Sequence, residues 1–424
     1  MSDTIVIGGG VVGLCVAYYC ARKGHSVTVF ERGEPERDGC SFANAGMIVP
    51  SHVVPLASPG VIALGLRHLW NPRSPFHVKP RLSAELLDWG WKLRKAATRA
   101  HVERAAPLLR DLHVASRACY DELAARSGNA FGLVENGLLM LCTTEHGLAE
   151  ETRTAQFARR LGIAGDVLDP AEVAALEPAM RMNVVGAVHY RLDAHLAPAR
   201  LMALLRRETA RLGVELRHGA AIRGLRSHKE RIVGVDAGDG IVGADEFVLC
   251  AGIWSAALGR RVGLALPMQA GKGYSLTLDR PPVLPRICAI LSEARVAVTP
   301  MGSSLRFGGT MEITDIDEGV RPARIRGIVK SATAAFPDIA ASHFDAATVR
   351  TGLRPCSPDG LPYVGRSKHF ANLSVATGHA MMGVSLAPIT GKLIAELLSG
   401  EAPSCAISAL DPDRYANPAV AHAA

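Results

Sequence analysis

Short apolar runs alternate with stretches of helical period along this chain. Thr4-Ile5-Val6-Ile7 is too brief for a helix and predicts a buried strand. Val11 to Lys23 is apolar on nearly every face, as in a helix packed against a sheet, and Gly24 supplies its stop. Ser26 to Phe30 predicts a second strand. Helical spacing returns over Ala105 to Ala125, Glu145 to Leu161 and Asp193 to Leu212. The last of these has Pro198 in its first turn, an apolar stripe at Leu201, Leu204, Leu205 and Leu212, and Gly213 as its stop. Strands are expected at Leu138 to Leu141 after an Asn136-Gly137 turn, at Val214 to Arg217 and from Glu246 to its Ala251-Gly252 end. Lys272 to Leu278 and Leu305 to Ile313 alternate as half-buried strands do, which predicts a second, antiparallel sheet. Near the end, a strand at Leu373 to Ala376 leads through Thr377 to Gly383 into a helix that runs to Leu398, before Gly400.

The first two strands and their helix enclose Gly8-Gly9-Gly10-Val11-Val12-Gly13, which has G-x-G-x-x-G spacing. Each glycine has its own task. Gly8 allows the tight turn, Gly10 lets a diphosphate approach the backbone, and Gly13 lets the helix lie close to the strand. The N–H groups of Val11 and Val12 at the helix start face an anion with partial positive charge. The second strand delivers Glu31, whose carboxylate can accept both hydroxyls of an adenosine ribose. Glu31 argues against a 2′-phosphate, whereas Arg32 beside it argues the other way. Strand, glycine turn, helix, strand and acid together predict a Rossmann-type dinucleotide site, and hence an α/β fold.

Composition sharpens this picture. At 424 residues the chain exceeds one ordinary core, so two domains are expected. It is 48% hydrophobic and 21% charged, which excludes disordered and fibrous classes. The glycine-broken N-terminal run has no preceding basic residue and no small-residue cleavage site, so no signal peptide or spanning segment is expected. Nine scattered cysteines without a C-x-x-C pair fit reduced thiols in a cytoplasmic compartment, and no metal site is expected. The net charge is +7. Much of the basic excess lies between Leu66 and Arg104 (Arg67, Arg73, Lys79, Arg81, Lys92, Arg94, Lys95, Arg99 and Arg104), with Trp70, Trp89 and Trp91 in the same segment. That segment reads either as a solvated face over packed tryptophans or as a surface for an anionic membrane.

Other blocks point to a ligand. Ser41-Phe42-Ala43-Asn44-Ala45-Gly46-Met47 is a run of small residues beside the nucleotide site, either an ordinary turn or backbone close to a ligand. Ala251-Gly252-Ile253-Trp254 places a glycine at the carboxyl end of a strand, where ligands sit in open α/β sheets. Gly378-His379-Ala380-Met381-Met382-Gly383 is a second glycine-bracketed helix start.

With these blocks, and with Lys272-Gly273-Tyr274-Ser275 and Gly352-Leu353-Arg354-Pro355 through Gly365, the chain resembles flavoproteins of the D-amino-acid oxidase and glycine/sarcosine oxidase superfamily, most of all the bacterial D-amino-acid dehydrogenases. The resemblance covers nearly the whole chain. It implies FAD as cofactor, a D-amino acid oxidised at its Cα–N bond, and a quinone or other electron acceptor. It also implies an α+β substrate domain, built on an antiparallel sheet and inserted into the FAD-binding domain. The FAD-binding parts would be 1–80, 194–262 and 351–424, and the substrate parts 81–193 and 263–350. By the same resemblance Ile222 would meet adenine through its backbone, Ala43 to Met47 would line the flavin, and Gly378 to Gly383 would face its pyrimidine end. Sarcosine oxidases tie flavin to a cysteine at the position of Gly352, with Cys356 four residues beyond, so noncovalent FAD is expected. Met381 to Pro388 resembles relatives that act on D-proline or D-hydroxyproline.

An amino-acid substrate brings a carboxylate, which a planar guanidinium holds with two parallel hydrogen bonds. Arg354 is the candidate, read otherwise as a surface ion pair. Tyr274 could donate to the same carboxylate or simply pack in the core. His379 could touch the flavin or be structural. No general base is assigned, because hydride can pass directly from Cα–H once the amine is neutral. An oxygen-using glycine or sarcosine-type oxidase is the alternative. A nucleic-acid-binding flavoprotein is a remote one, suggested only by the basic charge and opposed by 5% aromatic content without a stacking platform.

Overall fold

A computed structural model describes residues 1–35, 39–63, 76–79, 81 and 83–416. Arg67, Trp70 and Arg73 of the basic segment lie outside these residues. Two main sheets organise the chain. The first runs in the spatial order Tyr363–Arg366, Leu373–Thr377, Glu246–Leu249, Asp3–Ile7, Ser26–Phe30, Glu215–Arg217. Its strands are parallel except Tyr363–Arg366, which runs antiparallel to its neighbour. Asp3–Ile7 is central, with Ile5 flanked by Phe247 and Thr28. A strand covered on both faces reads as an apolar run, which is why four residues sufficed to find it.

Helix Val11–Arg22 leaves directly from the glycine turn and packs on helix Gly383–Leu398. Residues Ala380–Leu398 are long and apolar enough to cross a membrane by length and composition, but 78% of that stretch is buried inside the protein, between Val11–Arg22 and the long helix Arg99–Ser127. It is a core helix. Helix Pro198–Arg211 begins later than its apolar pattern suggested, because Ala194–His195 pairs with Met47–Ile48 as a two-stranded ribbon. Pro198 then serves as the first helical residue.

Among the described residues the second sheet has nine strands. Its order is Thr348–Cys356, Gln269–Leu278, Ser304–Thr314, Val296–Met301, Cys288–Leu291, Leu138–Cys142, Gly186–Tyr190, Asp166–Leu168, with Phe76–Val78 also beside Ser304–Thr314. It is mixed and not purely antiparallel, since Cys288–Leu291 with Leu138–Cys142 and Ser304–Thr314 with Phe76–Val78 are parallel pairs. Strand Thr348–Cys356 crosses the domain boundary expected at residue 350, and Phe76–Val78 lies before the one expected at 80. Strand Ser304–Thr314 carries a bulge: Gly309 faces Tyr274 and Glu312 faces Lys272, which leaves Thr310 and Met311 opposite Gly273. The strand also changes partner there, from Val296–Met301 to Phe76–Val78.

Candidate active site

A cavity of about 890 Å³ runs from Glu31 and Ile222 at one end, past the glycine turn, to His379, Gly383 and Val384 at the other. Its near end is built by the fingerprint. Gly8 has φ +109°, and a Cβ there would lie 2.6 Å from the Cys250 carbonyl oxygen. A Cβ on Gly13 would lie 1.9 Å from the Gly8 oxygen, so the helix touches the turn only because Gly13 has no side chain. At Gly10 the position is open: among the described residues a Cβ would meet only Ser41 Oγ within 4 Å, at 3.6 Å. The Ser41 hydroxyl oxygen accepts from the Val11 N–H (3.0 Å), and the first turn of that helix carries no acidic residue. This is a cradle for a diphosphate.

Glu31 accepts from the Gly9 N–H (2.7 Å) and the Gly33 N–H (2.8 Å), so its carboxylate is fixed by backbone donors on both sides. Arg32 lies 3.4 Å over the Trp254 ring and forms an ion pair with Glu318 (3.4 Å). Ala251, Gly252 and Val12 complete this wall. The dimensions, the open glycine and the fixed acid fit a dinucleotide cofactor. Glu31, Arg32, Ile222 and Trp254 would hold its adenosine, Gly8 to Val12 with Ser41 its diphosphate, and Asn44, His379 and Gly383 its far end.

Asn44 and His379 line the cavity, whereas Ala43, Ala45, Gly46, Met47, Gly378 and Met382 lie behind its wall. The side-chain oxygen of Asn44 accepts from the Gly46 N–H (2.7 Å), and Gly46, at φ +74°, sits 2.2 Å in Cβ terms from the Leu196 oxygen. Ala45 packs near Gly308, and Met47 is buried in the ribbon with His195. Ala43 does not line the cavity either. The whole loop is held by Arg306, whose Nη1 donates to the carbonyls of Phe42 (2.8 Å) and Asn44 (2.7 Å). Gly378, at φ +79°, packs on Tyr363, and Met382 Sδ lies 3.2 Å from His113 Nε2. His379 lines the cavity with Nε2 bonded to Thr390 Oγ1 (2.9 Å); burial lowers its pKa to about 4, so it is neutral at pH 7.

The second sheet closes the cavity through Val349 to Leu353. Arg354 lies on the same strand, opposite Gly271, and its Nη1 donates to the Thr310 carbonyl (3.1 Å). Its guanidinium lies over Gly273, where a Cβ would come within 2.3 to 2.4 Å of it. Gly352 is pressed against Cys40: a Cβ would lie 2.9 Å from the Cys40 Cα. Cys356 is fully buried, its thiol pushed up to about 12 chiefly by burial, and it is not part of the cavity wall. Tyr274 does not join Arg354. It pairs with Thr351, an odd step from the Gly271–Arg354 pair, so alternation puts it on the other face. There its hydroxyl donates to Glu312 (3.1 Å), Glu312 pairs with Arg321 (2.6 Å), and Lys272 pairs with Asp317 (3.1 Å).

Sequence reading missed Arg206 and Glu318, which also line the cavity. Arg206 belongs to helix Pro198–Arg211, where nothing in the helical pattern separates it from Arg207 or Arg211. Glu318 belongs to an acidic loop between the sheets: Asp315 pairs with Lys79 (3.2 Å) and Arg81 (2.9 Å), Asp317 with Lys272, and Glu318 with Arg32.

Residues 3–397 match the family described as DAO, FAD dependent oxidoreductase. A D-amino acid dehydrogenase of Methylobacterium radiotolerans is 36% identical over 97% of this chain and 99% of its own length. Another, from Methylobacterium nodulans, is 36% identical over 97% and 98%. The solved structure of glycine oxidase from Geobacillus kaustophilus superposes with a TM-score of 0.78 at 26% identity, covering 97% of this chain and 98% of that one. The cradle, the fixed acid and these likenesses agree: the chain belongs to the DAO family of FAD-dependent oxidoreductases.

Proposed function

We propose that the chain oxidises the Cα–N bond of a D-amino acid, and that Arg354 holds the substrate carboxylate. One observation carries this reading: a guanidinium laid flat over Gly273, its Nη1 bonded to the Thr310 carbonyl, on the strand that closes the cofactor cavity. A fork fixed in this way suits two parallel bonds to a carboxylate. The relatives named D-amino acid dehydrogenase support the stereochemical class.

FAD, when bound, supplies the two-electron acceptor. The chain's own part is to orient Cα–H toward it and to keep water out. With the amine neutral, its lone pair forms C=N as hydride leaves Cα, so no protein base is needed; His379, buried and bonded to Thr390, is not placed to serve as one. The imino acid then hydrolyses or cyclises. The side chain is D-alanine-like or that of D-proline or D-hydroxyproline, the latter favoured by the Met381 to Pro388 resemblance. A panel of D- and L-amino acids with a dye acceptor, run with and without oxygen, tests this. Activity with L-amino acids alone overturns it, and dependence on oxygen instead of dye supports the oxidase alternative.

Electrons would pass to a quinone-type acceptor at a membrane surface, with the protein cytoplasmic and peripheral on the inner face. Helix Ala84–Ala96 supports this. Trp89 is buried and donates to the Cys356 carbonyl (2.8 Å), so it is a core anchor. Trp91, 54% exposed, stands one turn from exposed Leu87, with Arg94 and Lys95 over its ring. Basic residues near an anionic leaflet contribute roughly 1 kcal/mol each, and tryptophan settles at the headgroup level. Flotation with anionic vesicles should carry the protein at low salt and release it at high salt. A protein that stays in solution at low salt, with quinone reduction unchanged in Lys92→Glu/Arg94→Glu, makes the helix merely a solvated face.

A further inference from the structure

Thr310 is unusual on three counts. It is β-branched yet has φ +64°, a region that such residues avoid and that a glycine would occupy without strain. It is the extra residue of the bulge, at the point where its strand changes partner. The residue is 9% exposed, and among the described residues its hydroxyl is buried without a hydrogen-bond partner. A backbone carbonyl alone would serve Arg354 equally well from a glycine, so the bond to Nη1 does not explain the hydroxyl. A buried hydroxyl left unpaired is destabilising, and this one belongs to the residue whose carbonyl accepts from Arg354, at a strained position.

We propose that Thr310 is a second anchor of the substrate carboxylate, its hydroxyl donating to a carboxylate oxygen while its carbonyl sets the plane of Arg354. This rests on Arg354 being the carboxylate clamp. Thr310 thereby gives the site a donor that Tyr274, on the far face, cannot supply. The bulge has a reason as well: it brings Thr310 and Met311 together opposite Gly273, over which the Arg354 guanidinium lies.

The test uses the FAD-loaded enzyme and propionate, a carboxylate without an amine, as a competitive inhibitor, with propylamine as its carboxylate-free counterpart. Thr310→Val keeps the branching and the volume but removes the hydroxyl. It should raise the propionate inhibition constant and the KM for D-amino acids roughly tenfold, with kcat changed about twofold or less, while Thr310→Ser stays near the parent values. Propylamine should bind parent and variant alike. Should Thr310→Val fail to hold FAD, Thr310→Ala carries the same comparison. Propionate binding within about twofold of the parent in the valine or alanine variant overturns the role of Thr310. Arg354→Gln, measured alongside, separates the two claims: if it too leaves propionate binding unchanged, the reading of Arg354 has failed, and if it weakens binding while the Thr310 variants do not, only the second anchor has.

Discussion

Arg354 is the proposed clamp for the substrate carboxylate, and its replacement is the sharpest single-residue test. Arg354→Lys removes the fork but keeps the charge, and should raise the KM for D-amino acids by about 10- to 100-fold, since a charge-assisted bond contributes roughly 1.5–3 kcal/mol. The flavin absorbance should change little. A second titrating residue bears on stability. Asp193 is fully buried, accepts from the Ser51 N–H (2.9 Å) and the Ser51 hydroxyl (2.5 Å), and burial raises its pKa from 3.8 to about 7. The folded chain thus retains a proton that the unfolded chain loses near pH 4. Its contribution is complete below that pH and is lost as pH rises through about 7. Asp193→Asn keeps an acceptor for the Ser51 N–H and should flatten the fall in Tm between pH 5 and 8, as thermal melts across that range would show. At this scale the sequence was readable where constraints are local. Gly8 and Gly13 answer to φ and close approach, and Glu31 to one strand length. Tyr274 was misplaced because its face depends on parity counted across neighbouring strands, which no window of sequence contains.

Among the elements, the parallel strands and their first helix were legible because full burial makes them apolar throughout. The start of helix Pro198–Arg211 was not, since Ala194–His195 is claimed by a partner nearly 150 residues earlier in the chain, Met47–Ile48. The bulge in Ser304–Thr314 was equally hidden: Leu305 to Ile313 reads as regular alternation, yet one extra residue reverses the faces beyond Gly309. Strand Gln269–Leu278 offers a test at this scale. Gly273 has ordinary backbone geometry, but its missing Cβ makes room for the Arg354 guanidinium. Gly273→Ala should therefore leave the sheet and FAD content intact while lifting the guanidinium, raising the substrate KM on the order of tenfold with a smaller effect on kcat. Steady-state kinetics beside flavin absorbance would show it, and an unchanged KM would mean that the arginine is not held flat by this contact.

For the molecule as a whole, one cavity draws its wall from both sheets, so the cofactor site is enclosed by parts of the chain far apart in sequence. Gly352 carries no side chain and Cys356 lies outside the wall; Cys40, packed against Gly352, lines the cavity, but burial raises its thiol above the usual range and so keeps it protonated. Acid precipitation should release free FAD to the supernatant, and yellow colour retained in the pellet would mean a covalent link. The acidic loop from Asp315 to Glu318 reaches further. Its ion pairs tie Lys79, Arg81 and Lys272 to Arg32, which stacks on Trp254 at the end of the cavity where the adenosine would sit. Occupancy of the nucleotide site and order at the far sheet edge are then two readings of one equilibrium. Adding FAD should slow amide exchange in residues 315–321 as well as in the glycine turn, and salt, by screening these pairs, should hasten FAD dissociation and exchange in that loop together. Exchange in the loop indifferent to FAD would show that the two halves are stitched by packing alone.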